Sequence, residues 1–314
     1  MFKALSCGFF LCAFASAQTI TGAGYVAPAP VSAAPGQLLT FFVDAISTTG
    51  ITAFLHQGAA IPAPVIDVRS IPTCSGIAVP AQNTCGALTA VTVQIPYELS
   101  VLCPPCANPV FLFTELVILG NGQSAAIELN GLADQIHVLT SCDVVSNAHG
   151  YVAPNNTSGL PCPPIVTHAD GTLVTASKPA NPGEELTAWA TGLGATNPPA
   201  TTGQASSKPL PTAQTLGIDF NYTVNALATK PRPAFVPAPT LAPAYSGLVA
   251  GFVGLYQINF VVPPGPANGI SRCALPGTFL AGTNAVQSNL TVSFGGAYSF
   301  DGAGICVATQ IPVD

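Results

Sequence analysis

The chain has 314 residues, of which 49% are hydrophobic and only 6% charged, with 30 Gly, 31 Pro and a formal net charge of −6. An ordinary soluble domain carries about 25% charged residues, so coiled coils, long solvated helices and charge-rich disorder are excluded. Seven Lys and Arg in all cannot assemble the basic face that counterion release on nucleic acid requires.

The first element is a signal for export. Lys3, the apolar run Leu5 to Phe14 and the small residues Ala15-Ser16-Ala17 match the three regions of a cleaved secretory peptide, residues 1–17, with the mature chain starting at Gln18. The run is short of the ~20 apolar residues of a spanning helix, and Leu248 to Val262 is interrupted by Gln257 and Asn259, so no transmembrane segment is expected. Cleavage leaves six basic and thirteen acidic residues, a net charge of −7, and eight of the ten cysteines. An even number in an oxidising compartment reads as disulfides. Neighbours in sequence suggest Cys74 with Cys85, Cys103 with Cys106, Cys142 with Cys162, and Cys273 with Cys306.

Beyond the signal, Pro and Gly interrupt any helical stripe, and short runs of Val, Ile, Phe, Thr and Tyr recur between turn residues, an all-β pattern. An internal repeat organises those runs. PGQLLTFFVDAIS from Pro35 aligns with PGEELTAWATGLG from Pro182 at an offset of 147, matching Leu39, Phe41 and Val43 with Leu186, Ala188 and Ala190. Strand side chains alternate, so each trio shares one face. Val91, Val93, Ile95 and Pro96 match Ile258, Phe260, Val262 and Pro263 at an offset of 167, and Leu116 and Ile118 match Leu290 and Val292 at an offset of 174. Two copies of one β-sandwich unit follow, the first over 18–140 and the second over 165–314. A Pro- and Cys-containing linker at 141–164 joins them, and a Pro-rich insertion at 229–243 forms an extended loop.

The segment Ile165 to Thr212 contains His168-Ala-Asp-Gly, Ser177-Lys-Pro-Ala-Asn-Pro-Gly, Ala190-Thr-Gly-Leu-Gly-Ala-Thr and Pro209-Leu-Pro-Thr, and is followed by the run from Tyr245 to Asn259. It resembles a domain family abundant in secreted proteins of soil acidobacteria. Ala33-Ala-Pro-Gly and Val93-Gln-Ile-Pro-Tyr-Glu-Leu are similar to the preceding unit of that family. The resemblance implies tandem immunoglobulin-like sandwiches of the IPT/TIG type in exported proteins, and brings no catalytic residues. Physically, Gly192, Gly194, Gly251 and Gly254 suit positive φ at turns, and Trp189, Tyr256 and Phe260 are expected to fill the sandwich.

Signals for chemistry are sparse. There is no Gly-x-Ser-x-Gly elbow. His168 with Asp170 is the one close His–carboxylate pair, and Asp170-Gly171 reads as a turn. His137 reads as a strand-face residue, and His56 and His149 as loop residues without partners. Cys103-Pro-Pro-Cys106 has the spacing of a zinc or redox pair but no second pair beside it. Glu184 and Glu185 begin a strand and point to opposite faces. Asn155, Asn156, Asn221 and Asn289 are glycosylation acceptors only where the host glycosylates them. The sequence therefore predicts no catalytic, metal or cofactor-binding residue and no cofactor. It predicts an exported binding or adhesion module whose partner is a glycan or protein, met by loops or by a face of Thr, Ser, Asn and aromatic residues. The alternative is a self-associating structural protein of the envelope or matrix, and an extracellular hydrolase or a Cys-x-x-Cys redox protein comes after both.

Overall fold

A computed structural model describes residues 20–23, 31–44, 46–71, 88–101, 114–140, 164–175, 177–220, 241–263, 290–294 and 300–308. All regular structure in them is β. In the first unit β1 (Ile20–Ala23), β3 (Leu38–Asp44), β6 (Val65–Ile71) and β7 (Leu88–Gln94) form a sheet of order β1-β3-β7-β6. Opposite it lies β2-β9-β8-β4-β5, built from β2 (Val31–Ala33), β4 (Thr52–His56), β5 (Ala60–Ala63), β8 (Glu115–Gly120) and β9 (Gln123–Gly131). The N-terminal segment changes sheets, since β1 runs antiparallel to β3 whereas β2 runs parallel to β9. Both sheets feed one core, with Leu39, Phe41, Val91 and Val93 from one and Leu55, Leu116, Ile118 and Ile127 from the other. This is the strand order of an immunoglobulin-type sandwich.

The second unit repeats the plan. β10 (His137–Val138), β12 (Glu185–Thr191), β16 (Tyr256–Val261), β15 (Tyr245–Leu248) and β13 (Leu210–Pro211) lie in that order, with β11 (Val166–His168) also on the edge of β12. β14 (Gly217–Phe220), β17 (Leu290–Ser293) and β18 (Phe300–Ala303) form the other sheet. A parallel bridge between Ala180 and Val307 stands where β2 meets β9 in the first unit. Ile136 and Val138 pack into the second core although they precede the expected division at residue 140.

The repeat is preserved to the register. Leu39 faces Val93 and Phe41 faces Val91, as Leu186 faces Phe260 and Ala188 faces Ile258. The first unit is Phe41 with Thr89 where the second is Ala188 with Tyr256, all four buried. A large side chain has thus moved from one central strand to its neighbour while the core stays filled, as close packing requires. Gly192, Gly194, Gly251 and Gly254 all have positive φ. Trp189 does not fill the core. With Ala188 and Ala190 fully buried on the inner face, alternation turns Trp189 outward, where it is half-buried.

Candidate functional site

The outward face of the β12–β16–β15 sheet gathers the polar and aromatic residues of the second unit. Register pairs place Thr167 beside Thr187, Thr187 beside Asn259 and Asn259 beside Tyr245; one step along, Trp189 lies beside Gln257 and Gln257 beside Gly247. Trp189 Nε1 donates to Thr167 Oγ1 at 3.2 Å, which fixes the indole plane. Thr187 Oγ1 donates to Asn259 Oδ1 at 3.4 Å, and Asn259 Nδ2 donates to Glu185 Oε1 at 3.4 Å. Tyr245 folds along its strand so that its hydroxyl donates to the Leu248 carbonyl at 3.2 Å and lies over Gly247. Any Cβ at 247 would run into that hydroxyl and into the Leu210 carbonyl oxygen, so glycine there is what lets the ring lie down. Partial burial raises the Tyr245 phenol above its ordinary range. Exposed Glu185 and Val261 close one end of the face. At the other, the buried Thr191 hydroxyl has no hydrogen-bond partner among the described residues, and His137 Nδ1 lies 3.3 Å from Asp301 Oδ2.

The corresponding face of the first unit is covered at one level and half-open at the next, at Thr40 and Thr92. Phe42, which the repeat aligns with Trp189, is 6% exposed and Ala90, aligned with Gln257, 8%. Thr40 and Thr92, aligned with Thr187 and Asn259, hydrogen-bond to each other at 2.8 Å.

His168 takes Glu184, not Asp170, as its carboxylate. Its strand position turns it inward, and the loop through Lys178 returns the chain so that Nδ1 lies 2.5 Å from Glu184 Oε1 and Nε2 3.1 Å from the Lys178 carbonyl. Glu184 Oε2 also accepts the Asn181 N–H at 2.8 Å. Burial pushes the Glu184 carboxyl up, but the hydrogen bonds from His168 and Asn181 outweigh it and hold the group below its ordinary value. Both ring nitrogens are engaged within the fold, so the pair clasps a loop. Asp170 makes the expected turn, accepting Thr172 N–H at 3.0 Å, and binds Lys178 Nζ at 2.6 Å; these donors hold its carboxyl well below the usual range. His56 ends strand β4 and is not a loop residue: it pairs in register with Glu115 and Ala60.

Cys74, Cys85, Cys103, Cys106, Cys142, Cys162 and Cys273 lie outside the described residues, as do His149, Asn155 and Asn156, Asn221 and Asn289, and most of the 229–243 insertion. Cys306 is buried and disulfide-bonded, with its partner also outside them. Among the described residues no cluster of three His, Cys, Asp or Glu could hold a metal, and no helix is long and apolar enough to cross a membrane.

A polar seam joins the two units, and nothing in the repeat announces it. Thr202 Oγ1 accepts the Tyr97 N–H at 2.9 Å and donates to Glu98 Oε2 at 2.7 Å, while Gly203 N–H donates to the buried Gln94 side chain at 2.6 Å. Gln37 Nε2 reaches the Gln135 carbonyl at 3.4 Å. Tyr97 packs on the second core with its hydroxyl 3.4 Å from that of Tyr256, which donates to the Gly194 carbonyl at 2.5 Å. Burial raises both phenols, Tyr256 the further.

No protein-family model matches the chain, and no curated protein matches it. Among solved structures it is similar to one described as "Anomalous substructure of Titin-A168169", at 8% identity over 93% of this chain and 96% of that one, with a TM-score of 0.17. A likeness of that degree carries no argument. The strand order and register define the fold by themselves.

Proposed function

We propose that the protein is an exported, non-catalytic binding or adhesion module of the acidobacterial domain family it resembles, stapled by disulfides and meeting a glycan or protein through its second sandwich. The observation that carries this reading is the contrast between equivalent positions of the two sheet faces: Phe42 and Ala90 are buried, whereas their counterparts Trp189 and Gln257 stay half-open, in register with half-open Thr187, Asn259 and Tyr245. A half-open row of aromatic and amide side chains on a rigid sheet is what a binding surface needs and a folding unit does not. The engagement of both His168 nitrogens supports a structural role for the His168–Glu184 pair.

Co-sedimentation of residues 18–314 with washed cells and with insoluble polysaccharides, across protein concentration, tests the reading. Saturable retention on one material is the expected result. Reversible self-association without retention on any material would instead establish the structural alternative, which the low surface charge favours.

A further inference from the structure

We propose that the outward face of β12, β16 and β15 binds a neutral polysaccharide chain, laid across the strands from Trp189 to Tyr245; this rests on the binding reading above and names its ligand class. Three features of the face select that chemistry. First, it carries two aromatic side chains on one face. Trp189 and Gly247, over which the Tyr245 hydroxyl lies, stand in register two strands apart, a backbone separation of roughly 9–10 Å, and the indole leans outward from there toward Thr167 on β11, so the two aromatic groups lie at opposite sides of the face. The C–H faces of pyranose rings stack on aromatic faces, and their edges carry hydroxyls.

Second, the group between the two aromatics is an amide with its hydrogen bonds unspent. Gln257 makes no side-chain hydrogen bond among the described residues and sits directly beside Trp189. An amide offers two donors and an acceptor, which matches a vicinal pair of hydroxyls that both give and accept. Thr187 and Asn259 continue that row toward Glu185. Third, the rows contain no Lys or Arg, and their single carboxylate, Glu185, lies at the margin. A polyanionic glycan would find no counter-charge and one repulsive group. A protein partner would find a face whose one strongly exposed aliphatic residue, Val261, lies at the same margin, without the central apolar anchor site of a protein interface.

Both aromatics are also held before any ligand arrives. Trp189 is pinned by Thr167 and Tyr245 by the Leu248 carbonyl, so little side-chain freedom remains to be lost on binding.

Trp189 is the only tryptophan of the chain, so its fluorescence reports on this face alone. The test titrates the 18–314 protein with soluble oligosaccharides of neutral β-glucan, xylan, mannan, α-glucan and chitin, and with oligogalacturonate as the charged control. Retention on the insoluble polymers is read in parallel. The expected result is a saturable fluorescence change with at least one neutral oligosaccharide. Y245A and Q257A should weaken it about tenfold, W189A should lose retention on the matching polymer to the same degree, and F252A, which trims an exposed apolar side chain in the turn between β15 and β16, should change nothing. Far-ultraviolet circular dichroism and the melting temperature confirm that each variant folds. Three results overturn the proposal while leaving the module a binder: response to oligogalacturonate alone, retention of a neutral glycan that survives both W189A and Y245A, or retention only by a cell-surface protein. Absence of any retention, on polymers or cells, overturns the binding reading with it.

Discussion

The two sandwiches share a register but distribute their bulk differently. In the first, Phe41 fills the core from the second strand of its sheet and Phe42 is buried on the opposite face. In the second, two alanines stand inward on the equivalent strand, Tyr256 fills the space from the neighbouring strand, and Trp189 is left half-open. A duplicated fold thus keeps its cross-strand register while bulk is exchanged between diagonal positions of neighbouring strands, because register is fixed by backbone hydrogen bonds and core volume only by the sum of the side chains. The outward face, released from covering, is free to carry chemistry.

Several substitutions would break or sharpen that comparison. Phe41→Ala removes the bulk that fills the first core without supplying Tyr256's equivalent at position 89, and should cost about 3–5 kcal/mol in denaturant unfolding. Adding Thr89→Tyr, which copies the second unit's solution, should recover part of it; no recovery would mean that the two cores are not interchangeable. Tyr97→Ala should remove about 2 kcal/mol of coupling between the units and split one calorimetric transition into two. A single unchanged transition would show that the seam does not couple them. Tyr256→Phe keeps the volume and loses the bond to the Gly194 carbonyl and the longer contact with the Tyr97 hydroxyl, for about 1 kcal/mol. Smaller still is the acid response of the loop clasp. Because the folded Glu184 carboxyl sits below its unfolded value near 4.5, its contribution is present above that pH and fades as the pH falls through the folded value. Glu184→Gln should therefore flatten the acid limb of the stability curve, and a limb of unchanged slope would rule the clasp out. Lys178→Ala, an exposed pair with Asp170, should leave stability unchanged within error.

Much of the fold is legible in the sequence because strand periodicity is short and local. Leu39, Phe41 and Val43 declare their face without any partner, and the repeat supplies the pairing by analogy. The same alternation already turns Trp189 outward once Ala188 and Ala190 are placed inward; its bulk argues for the core, and the period wins. The site was less legible. That Tyr245 lies over Gly247 depends on a rotamer and on the Leu210 carbonyl of a third strand, and that Gln257 stands beside Trp189 depends on a register between segments 68 residues apart. Glu184 finds His168 across 16 residues only because the loop through Lys178 turns back. The seam left no local trace at all, since Tyr97 meets Thr202 across 105 residues of chain.

That seam is built almost wholly from neutral groups. Among Gln37, Gln94, Tyr97, Glu98, Gln135, Thr202, Gly203 and Tyr256 there is one carboxylate and no cation. Ionic atmosphere acts on charges, and its reach shrinks from about 30 Å in dilute solution to about 3 Å in molar salt. A joint of amides, hydroxyls and one carboxylate gives it little to act on. The joint between the sandwiches is therefore one that dilute buffer and molar salt would both leave in place, whereas a joint of paired charges would loosen as the salt rose.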